Sequence, residues 1–405
     1  MRAVVYRGVN DLRLETVPVP RIGADELLVK VAVCGVCPTD IKKIQHGTVP
    51  PPRIFGHETA GTIVKIGAGN SSLVPRPSSL KVGDRVALHH HVPCLDCHFC
   101  RHRAFAQCET YKRTGITAGF EPAGGGYAEY VRVMSFVLPG VVKIPAKNSF
   151  EEGAMLEPVN TVLKAVRRLN LLRGDNVLVA GQGPIGLMFT RLLQLEGANV
   201  LATDLLESRL RLAKKFGARW TLNVSRSRRE EALTKSAGNG PQTTRNQSLV
   251  TSAPTFRYLV PRLSSLDCAV VVVPSDAVVH EALQLVRPGG QVLLFAHTKR
   301  ATASGRADLP VSRAAGHRRP TINSQLDFAS ICLDEKDLIG SYSSDFTLQR
   351  EVARLVFSRR LDVRKLITNY FSLEDTAAAV ALAASPTEDS LKILVRVNTA
   401  WQETR

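Results

Sequence analysis

Aromatic residues and long apolar runs are both scarce in this sequence, and the short apolar runs argue against a membrane-spanning protein. Phe, Trp and Tyr together make up 6% of the 405 residues. Apolar runs stay below the roughly 18 residues that a membrane-spanning helix requires, and the first residues lack the hydrophobic stretch of a secretory signal. We therefore expect a cytoplasmic protein of two domains that has no membrane partner.

Acidic residues are also few relative to basic ones. The chain has 53 Lys and Arg residues against 36 Asp and Glu residues, so its formal net charge is +17. Such a charge raises nucleic acid as a partner, but the sequence contains neither an aromatic RNA-binding motif nor a basic recognition helix. Much of the excess lies in two stretches without periodicity, residues 225–262 and 299–319. We interpret it as solvated surface, and a phosphate-bearing ligand is the alternative.

A dinucleotide-binding unit is predicted between residues 176 and 204. An apolar run of strand length, residues 176–180, leads directly into a G-x-G-x-x-G turn, and residues 187–196 have helical periodicity. A second apolar strand follows and ends on an aspartate. Strand, glycine turn, helix, strand and acid together are typical of a Rossmann unit, in which the turn approaches a pyrophosphate. The predicted cofactor-binding residues are Gly181, Gly183, Pro184, Ile185, Gly186, Asp204 and Arg209.

Two of these residues bear on the choice of cofactor. Asp204 ends the second strand, where a carboxylate can accept hydrogen bonds from ribose hydroxyls and would repel a 2′-phosphate. Arg209 follows closely enough to lie over an adenine ring. We therefore expect NAD to be used in preference to NADP.

Four of the eight cysteines are concentrated in residues 94–108. This clustering favours metal ligation in a reducing compartment over a framework of disulfides. Four thiolates close a tetrahedral shell with no open position, which is typical of a structural zinc site. An iron–sulfur cluster is the alternative. The predicted ligands are Cys94, Cys97, Cys100 and Cys108.

A second, mixed set of metal-ligand residue types is spread over the first part of the chain. Cys37 stands two residues before Thr39, and His57 and Glu58 are adjacent. Thiolate, imidazole and carboxylate hold Zn²⁺, and a set from distant loops that leaves one position open is a catalytic pattern. Each motif alone would also fit a buried cysteine or a core histidine. Glu157 could add a further carboxylate, although spacing alone does not establish this.

Together these motifs resemble those of the zinc-dependent medium-chain dehydrogenase/reductase family, and most of all its sorbitol and threonine dehydrogenase branch. The resemblance runs from residue 1 to residue 397, apart from the irregular stretches. It departs from the family where Lys42 replaces a frequent histidine. The matching motifs are Cys37-Pro-Thr-Asp, Gly56-His-Glu, the four-cysteine lobe, Leu156-Glu-Pro, the Rossmann turn and Gly340-Ser-Tyr.

The resemblance implies an α/β fold with two domains. Residues 1–157 would form a GroES-like, mostly β catalytic domain that carries the four-cysteine lobe. Residues 158–343 would form the Rossmann domain, a doubly wound parallel sheet, with irregular insertions near residues 222–262 and 299–320. Residues 344–405 would return to the catalytic domain. Dimers and tetramers are common in the family, so a homodimer or homotetramer is expected.

The resemblance also implies the chemistry, with one catalytic and one structural zinc ion. It places the catalytic ion on Cys37 and His57, completed by Glu58 or Glu157 directly or through water. Glu58 is favoured as the direct ligand. Zinc would act as a Lewis acid on an alcohol hydroxyl, Thr39 would pass the proton outward, and NAD would accept the hydride.

The favoured function is therefore interconversion of a secondary alcohol and its ketone. The expected partner is a small alcohol, such as a polyol, a sugar alcohol or a threonine-like compound, and not nucleic acid. One alternative is a zinc-free quinone or enoyl reductase on the same fold, against which Cys37, His57 and the cysteine lobe argue. The other is a basic, zinc-ribbon nucleic-acid-binding protein, against which the missing recognition elements argue.

Overall fold

The chain divides into two compact units in the computed structural model, which describes residues 1–68, 80–89, 92–110, 124–225, 265–296 and 328–397. The first unit comprises Met1–Val166 and Tyr342–Arg405, and the second comprises Arg167–Ser341. The C-terminal segment thus belongs with the N-terminal part of the chain. The boundary expected at residue 158 differs from this division, because residues 158–166 belong to the first unit.

Two sheets form the framework of the first unit. One has three strands in the order β2-β1-β4, and the other has the order β15-β16-β3-β5-β6-β8 with β7 also paired to β3. Buried and partly buried residues alternate along the first half of β3, so one face of this strand lies in the core. The strands are β1 Arg2–Gly8, β2 Asp11–Thr16, β3 Leu27–Gly35, β4 Arg53–Ile54, β5 Glu58–Ile66, β6 Arg85–Leu88, β7 Tyr130–Val133, β8 Val142–Lys143, β15 Ile367–Ser372 and β16 Lys392–Arg396.

Helices of the first unit come both from the N-terminal part and from the returning segment. The third begins with a capping box, in which Ser149 and Glu152 each accept a hydrogen bond from the other's backbone N–H. The helices are α1 Pro38–His46, α2 His98–Arg101, α3 Phe150–Ala154, α4 Leu156–Val166, α9 Gln349–Phe357 and α10 Thr376–Ala384.

The second unit is built on a parallel sheet of six strands in the order β11-β10-β9-β12-β13-β14. Counted within the unit, this is the order 3-2-1-4-5-6 of a dinucleotide-binding fold, which confirms the predicted doubly wound sheet. Its elements are β9 Asn176–Ala180, α5 Pro184–Leu195, β10 Asn199–Asp204, α6 Glu207–Lys215, β11 Trp220–Asn223, β12 Leu266–Val271, α7 Asp276–Leu285, β13 Val286–Leu294, α8 Phe328–Leu333 and β14 Asp337–Gly340.

One predicted insertion starts later than expected. Residues 222 and 223 were expected to be irregular, but Trp220–Asn223 pairs in parallel with β10 as an edge strand. The neighbouring strand imposes this structure on a short segment with little periodicity of its own. Residues 226–262 of that insertion, and the insertion near residues 299–320, lie outside the described residues. No helix in the described part of the chain is long and apolar enough to cross a membrane.

Candidate active site

The first donor atom lies where β3 passes into α1. Cys37 is the N-cap residue of α1, and Pro38 at the first helical position favours a helix start at this point. The Cys37 Sγ lies 3.1 Å from the Thr39 hydroxyl oxygen. The hydroxyl expected to carry the proton is therefore in direct contact with the thiol expected to hold the metal.

The imidazole and a carboxylate come from the start of β5. Antiparallel pairing places Glu58 opposite Gly35 of β3. A Cβ at Gly35 would lie 1.9 Å from Glu58 Oε2, so the glycine leaves the space that this carboxylate fills. Just before His57 the chain turns at Gly56, whose φ of +97° is accessible mainly to glycine.

These residues form a compact donor set. One ligand atom each from Cys37, His57 and Glu58 lie within 4.8 Å of one another. His57 and Glu58 are buried, and Cys37 is partly buried. One thiolate, one imidazole and one carboxylate suit Zn²⁺ and leave a fourth tetrahedral position for water or substrate. Among the described residues, Glu157 is not part of this set.

Asp40, to which the sequence analysis gave no role, orients the histidine. Its buried Oδ2 lies 3.1 Å from His57 Nδ1 and accepts a hydrogen bond from the Gly56 N–H at 3.2 Å. Such a carboxylate on one ring nitrogen leaves the other, Nε2, for a metal. Burial alone would lower the pKa of His57, but the charges of Asp40 and Cys37 raise that pKa well above its ordinary value. The sequence feature that could have indicated this role is an acidic residue in the first turn of α1, three residues after Cys37.

A buried lysine from the returning segment pairs with Glu58. Lys392, the first residue of β16, donates from Nζ to Glu58 Oε1 at 2.6 Å and also forms an ion pair with Oε2. Oε2 lies against the Lys392 ammonium, and a carboxylate oxygen keeps a second lone pair beside such a contact. That buried oxygen has a lone pair for a metal ion, so the site fits zinc. Sequence reasoning missed Lys392 because 334 positions separate it from Glu58.

Glu157 lies in the first turn of α4 and is also buried. The Thr161 hydroxyl donates to Glu157 Oε1 at 3.4 Å. Burial raises the pKa of Glu157 to about 7, although the charge of His57 acts in the opposite direction.

The four lobe cysteines also come together. One sulfur each from Cys94, Cys97, Cys100 and Cys108 lie within 4.8 Å of one another. The Sγ atoms of Cys94 and Cys100 are 3.9 Å apart, and those of Cys97 and Cys100 are 3.5 Å apart. Hydrogen bonds from the backbone N–H groups of residues 96 and 97 lower the pKa of Cys94 to about 6. These thiols form the donor set expected of a closed zinc site.

The glycine turn has the features that a dinucleotide requires. Gly181 has a φ of +98°, and a Cβ at Gly186 would lie 1.8 Å from the Gly181 carbonyl oxygen. A Cβ at Gly183 would meet no atom within 4 Å, so the turn is open on that side. Pro184 and Ile185 begin α5, whose N-terminal N–H groups suit a phosphate.

Asp204 connects this turn to the segment after β10. Its Oδ2 accepts a hydrogen bond from the Gln182 N–H at 2.7 Å, and its Oδ1 accepts one from the Leu206 N–H at 2.9 Å. Each carboxylate oxygen keeps a second lone pair for a ribose hydroxyl. Arg209 Nη1 lies 4.0 Å from Asp204 Oδ2, so both residues predicted to contact the adenosine lie side by side.

Two family models match the sequence. Residues 23–146 match "Alcohol dehydrogenase GroES-like domain", and residues 184–356 match "Zinc-binding dehydrogenase". The chain belongs to the zinc-dependent medium-chain dehydrogenase/reductase family. This medium-chain dehydrogenase has the predicted fold class, a GroES-like domain with a Rossmann domain, and is an oxidoreductase of the alcohol dehydrogenase type. The predicted cofactors, zinc and NAD, are confirmed as those of the family.

Named relatives agree with this assignment, one over almost the whole chain and another over more than half of it. The sorbitol dehydrogenase of Bombyx mori is 29% identical over 405 residues, which cover 98% of each chain. The sorbitol dehydrogenase of Bos taurus is 35% identical over 242 residues, 58% of this chain and 64% of that one. Galactitol-1-phosphate dehydrogenase from Escherichia coli has a similar structure, with a TM-score of 0.74, 25% identity, and coverage of 98% of this chain and 100% of that chain.

Proposed function

We propose that this dehydrogenase interconverts a secondary hydroxyl of a polyol or sugar alcohol and the corresponding ketone, with NAD as the hydride carrier. The observation that carries the proposal is the donor set of Cys37, His57 and Glu58, which lies beside a hydroxyl and has no fourth protein ligand among the described residues. Relatives named for sorbitol and for galactitol 1-phosphate support the substrate class.

Each residue of the set has its own role in this proposal. Cys37, His57 and Glu58 would hold the catalytic zinc ion, and Glu157 is the reserve carboxylate. When bound, the ion supplies Lewis-acid stabilisation of negative charge on the substrate oxygen. Thr39 takes the hydroxyl proton through Oγ1 and passes it outward. The four lobe cysteines would hold the second, structural zinc.

The cofactor contacts follow from the glycine turn. Gly181, Gly183 and Gly186 let the backbone approach the pyrophosphate, with the first residues of α5, Pro184 and Ile185, beside it. Asp204 binds the ribose hydroxyls, and Arg209 lies against the adenine. A nicotinamide cofactor held by these residues would supply the hydride acceptor.

Self-association is also proposed, as a homodimer or homotetramer. Among the described strands, β14 lies at the edge of the parallel sheet, and its Leu338 is 37% exposed. An exposed edge strand can pair with another chain. Sedimentation equilibrium should therefore give a mass of at least two chains, and a mass of one chain at micromolar concentrations would contradict this.

The function is tested by initial rates with polyols, secondary alcohols and L-threonine in the presence of NAD⁺ or NADP⁺. We expect oxidation of polyols, with kcat/KM at least about tenfold higher for NAD⁺, because Asp204 would face the 2′-phosphate with a like charge. Asp204→Ala should reduce the ratio of kcat/KM with NAD⁺ to kcat/KM with NADP⁺. Absence of turnover with every polyol and secondary alcohol would contradict the substrate class, and equal use of NADP⁺ by the wild type would contradict the role of Asp204.

A further inference from the structure

The ion pair between Lys392 and Glu58 is shielded from water and fixed at both ends. Lys392 is 5% exposed and Glu58 is 1% exposed. The lysine Nζ donates to Glu58 Oε1 at 2.6 Å and to the Val36 carbonyl at 3.0 Å. Because the backbone carbonyl holds the ammonium in place, the ammonium in turn holds the carboxylate.

Strand pairing brings the two residues to one point. β16 pairs with β3 through Leu394 and Gly35, and β3 pairs with β5 through Gly35 and Glu58. The Glu58 carboxylate fills the space that a side chain at position 35 would occupy. The glycine on one side and the lysine on the other therefore define where this carboxylate points.

The charges around the donor set explain why a lysine is needed. The carboxylates of Glu58, Glu157 and Asp40 are all buried, and that of Asp40 is already paired with His57. A buried carboxylate without an opposite charge is strongly unfavourable. Lys392 supplies that charge for Glu58 by direct contact, and its charge also acts on the neighbouring Glu157.

We propose that Lys392 is the positioning residue of the catalytic metal site. It directs the Glu58 carboxylate towards Cys37 and His57, and it thereby makes Glu58 the ligating carboxylate and leaves Glu157 in reserve. This inference rests on the proposed function, because it concerns the metal held by that donor set. Lys392 acts through Glu58 and touches neither substrate nor cofactor.

The test uses protein that carries zinc in the four-cysteine lobe and cobalt(II) in the mixed site. The visible absorption of cobalt(II) reports its ligands and geometry independently of activity. Lys392→Met should raise the Kd for cobalt(II) by about 10- to 100-fold, the usual effect of losing a residue that orients a ligand, and should change the spectrum. Lys392→Arg should restore most of the wild-type cobalt(II) affinity and most of the wild-type absorption spectrum. Wild-type Kd and spectrum in Lys392→Met would overturn the inference.

Lys336 offers a matched control in the second unit. It is also a buried lysine, and its Nζ donates to the Leu283 carbonyl at 3.0 Å and pairs with Asp334 Oδ2 at 2.8 Å. Lys336→Met should lower the melting temperature while leaving the cobalt(II) Kd and spectrum unchanged. The same spectral change in Lys336→Met would show a general effect of losing a buried lysine and would overturn the inference.

A double-mutant cycle covers the case in which Lys392→Met alone fails to fold. Combining it with Glu58→Gln removes both charges of the buried pair. In the Glu58→Gln background, Lys392→Met should change the cobalt(II) Kd by less than about twofold, because the two residues act as one unit. A further tenfold loss in that background would overturn the inference.

Cobalt(II) binding by the wild-type protein distinguishes a failure of the proposed function from a failure of the positioning role of Lys392. If the wild-type protein takes up cobalt(II) only at the four cysteines, the proposed function and this inference are both wrong. If it binds cobalt(II) at the mixed site and Lys392→Met does so equally well, only the positioning role is wrong.

Discussion

Cys37→Ala should lower the rate of alcohol oxidation by several orders of magnitude and remove one of two zinc ions per chain. The substitution deletes the thiolate, the soft and charged ligand of the mixed donor set. Lewis-acid stabilisation of the substrate oxygen supplies several kcal/mol, and each loss of about 1.4 kcal/mol costs a factor of ten in rate. The measurements are kcat on the best polyol and zinc content by elemental analysis.

Thr39→Val is the matched control for this prediction. Valine keeps the shape of threonine but removes the hydroxyl that lies 3.1 Å from the Cys37 sulfur. Proton transfer by a positioned group is worth about 10²- to 10⁴-fold, so the rate should fall less than in Cys37→Ala while both zinc ions remain. Both variants should bind NAD⁺ as the wild type does. Wild-type turnover by zinc-depleted Cys37→Ala would place the protein among zinc-free reductases.

Cys97→Ser should remove the other zinc ion and lower the melting temperature by several degrees. The lobe has a small apolar core, in which the buried residues are Cys100 and Cys108 and the partly buried Phe105 packs against them. With little else to stabilise it, the lobe depends on its metal, and structural zinc contributes directly to folding free energy. Zinc content and thermal unfolding measure the effect.

Cys332→Ser controls for the loss of a thiol as such. Cys332 is exposed on α8, and no metal-ligand group of the described residues includes it. The substitution should leave zinc content and melting temperature unchanged. Unchanged zinc content in Cys97→Ser would show that the lobe cysteines do not ligate the ion.

Patterns contained in a short stretch of chain were readable from the sequence. Two motifs, the cysteine cluster of residues 94–108 and the glycine turn of residues 181–186, are each contained in about fifteen residues or fewer. Such a motif can be recognised from its spacing because a tight loop or a strand–turn–helix unit is a local structure. Asp40 was accessible in the same way, since it lies three residues after Cys37 at the start of one helix. An acid at that position beside a candidate thiolate is a usable signal.

Other parts of the site depend on strand pairing that no local pattern encodes. Gly35 and Glu58 meet because β3 and β5 pair antiparallel, and Lys392 reaches Glu58 from the last strand of the chain. The choice between the two carboxylates stayed open for the same reason. The position of Glu58 inside the donor set, with Glu157 outside it, supports Glu58 as the direct ligand.

The boundary between the two units was also not predictable from the local sequence pattern of α4. α4 is apolar along most of its length, and its pattern predicts burial without indicating which unit covers it. Its packing against α9 of the returning segment, together with α3, places it in the first unit.

The central claim is that Cys37, His57 and Glu58 hold the catalytic metal, and anomalous diffraction at the zinc edge from crystals of the zinc-loaded protein tests it most directly. The account predicts two anomalous peaks per chain, one among the four lobe sulfurs and one about 2.0–2.3 Å from the Cys37 sulfur, a His57 nitrogen and a Glu58 oxygen. A second peak away from these three residues, or a single peak confined to the lobe, would contradict it.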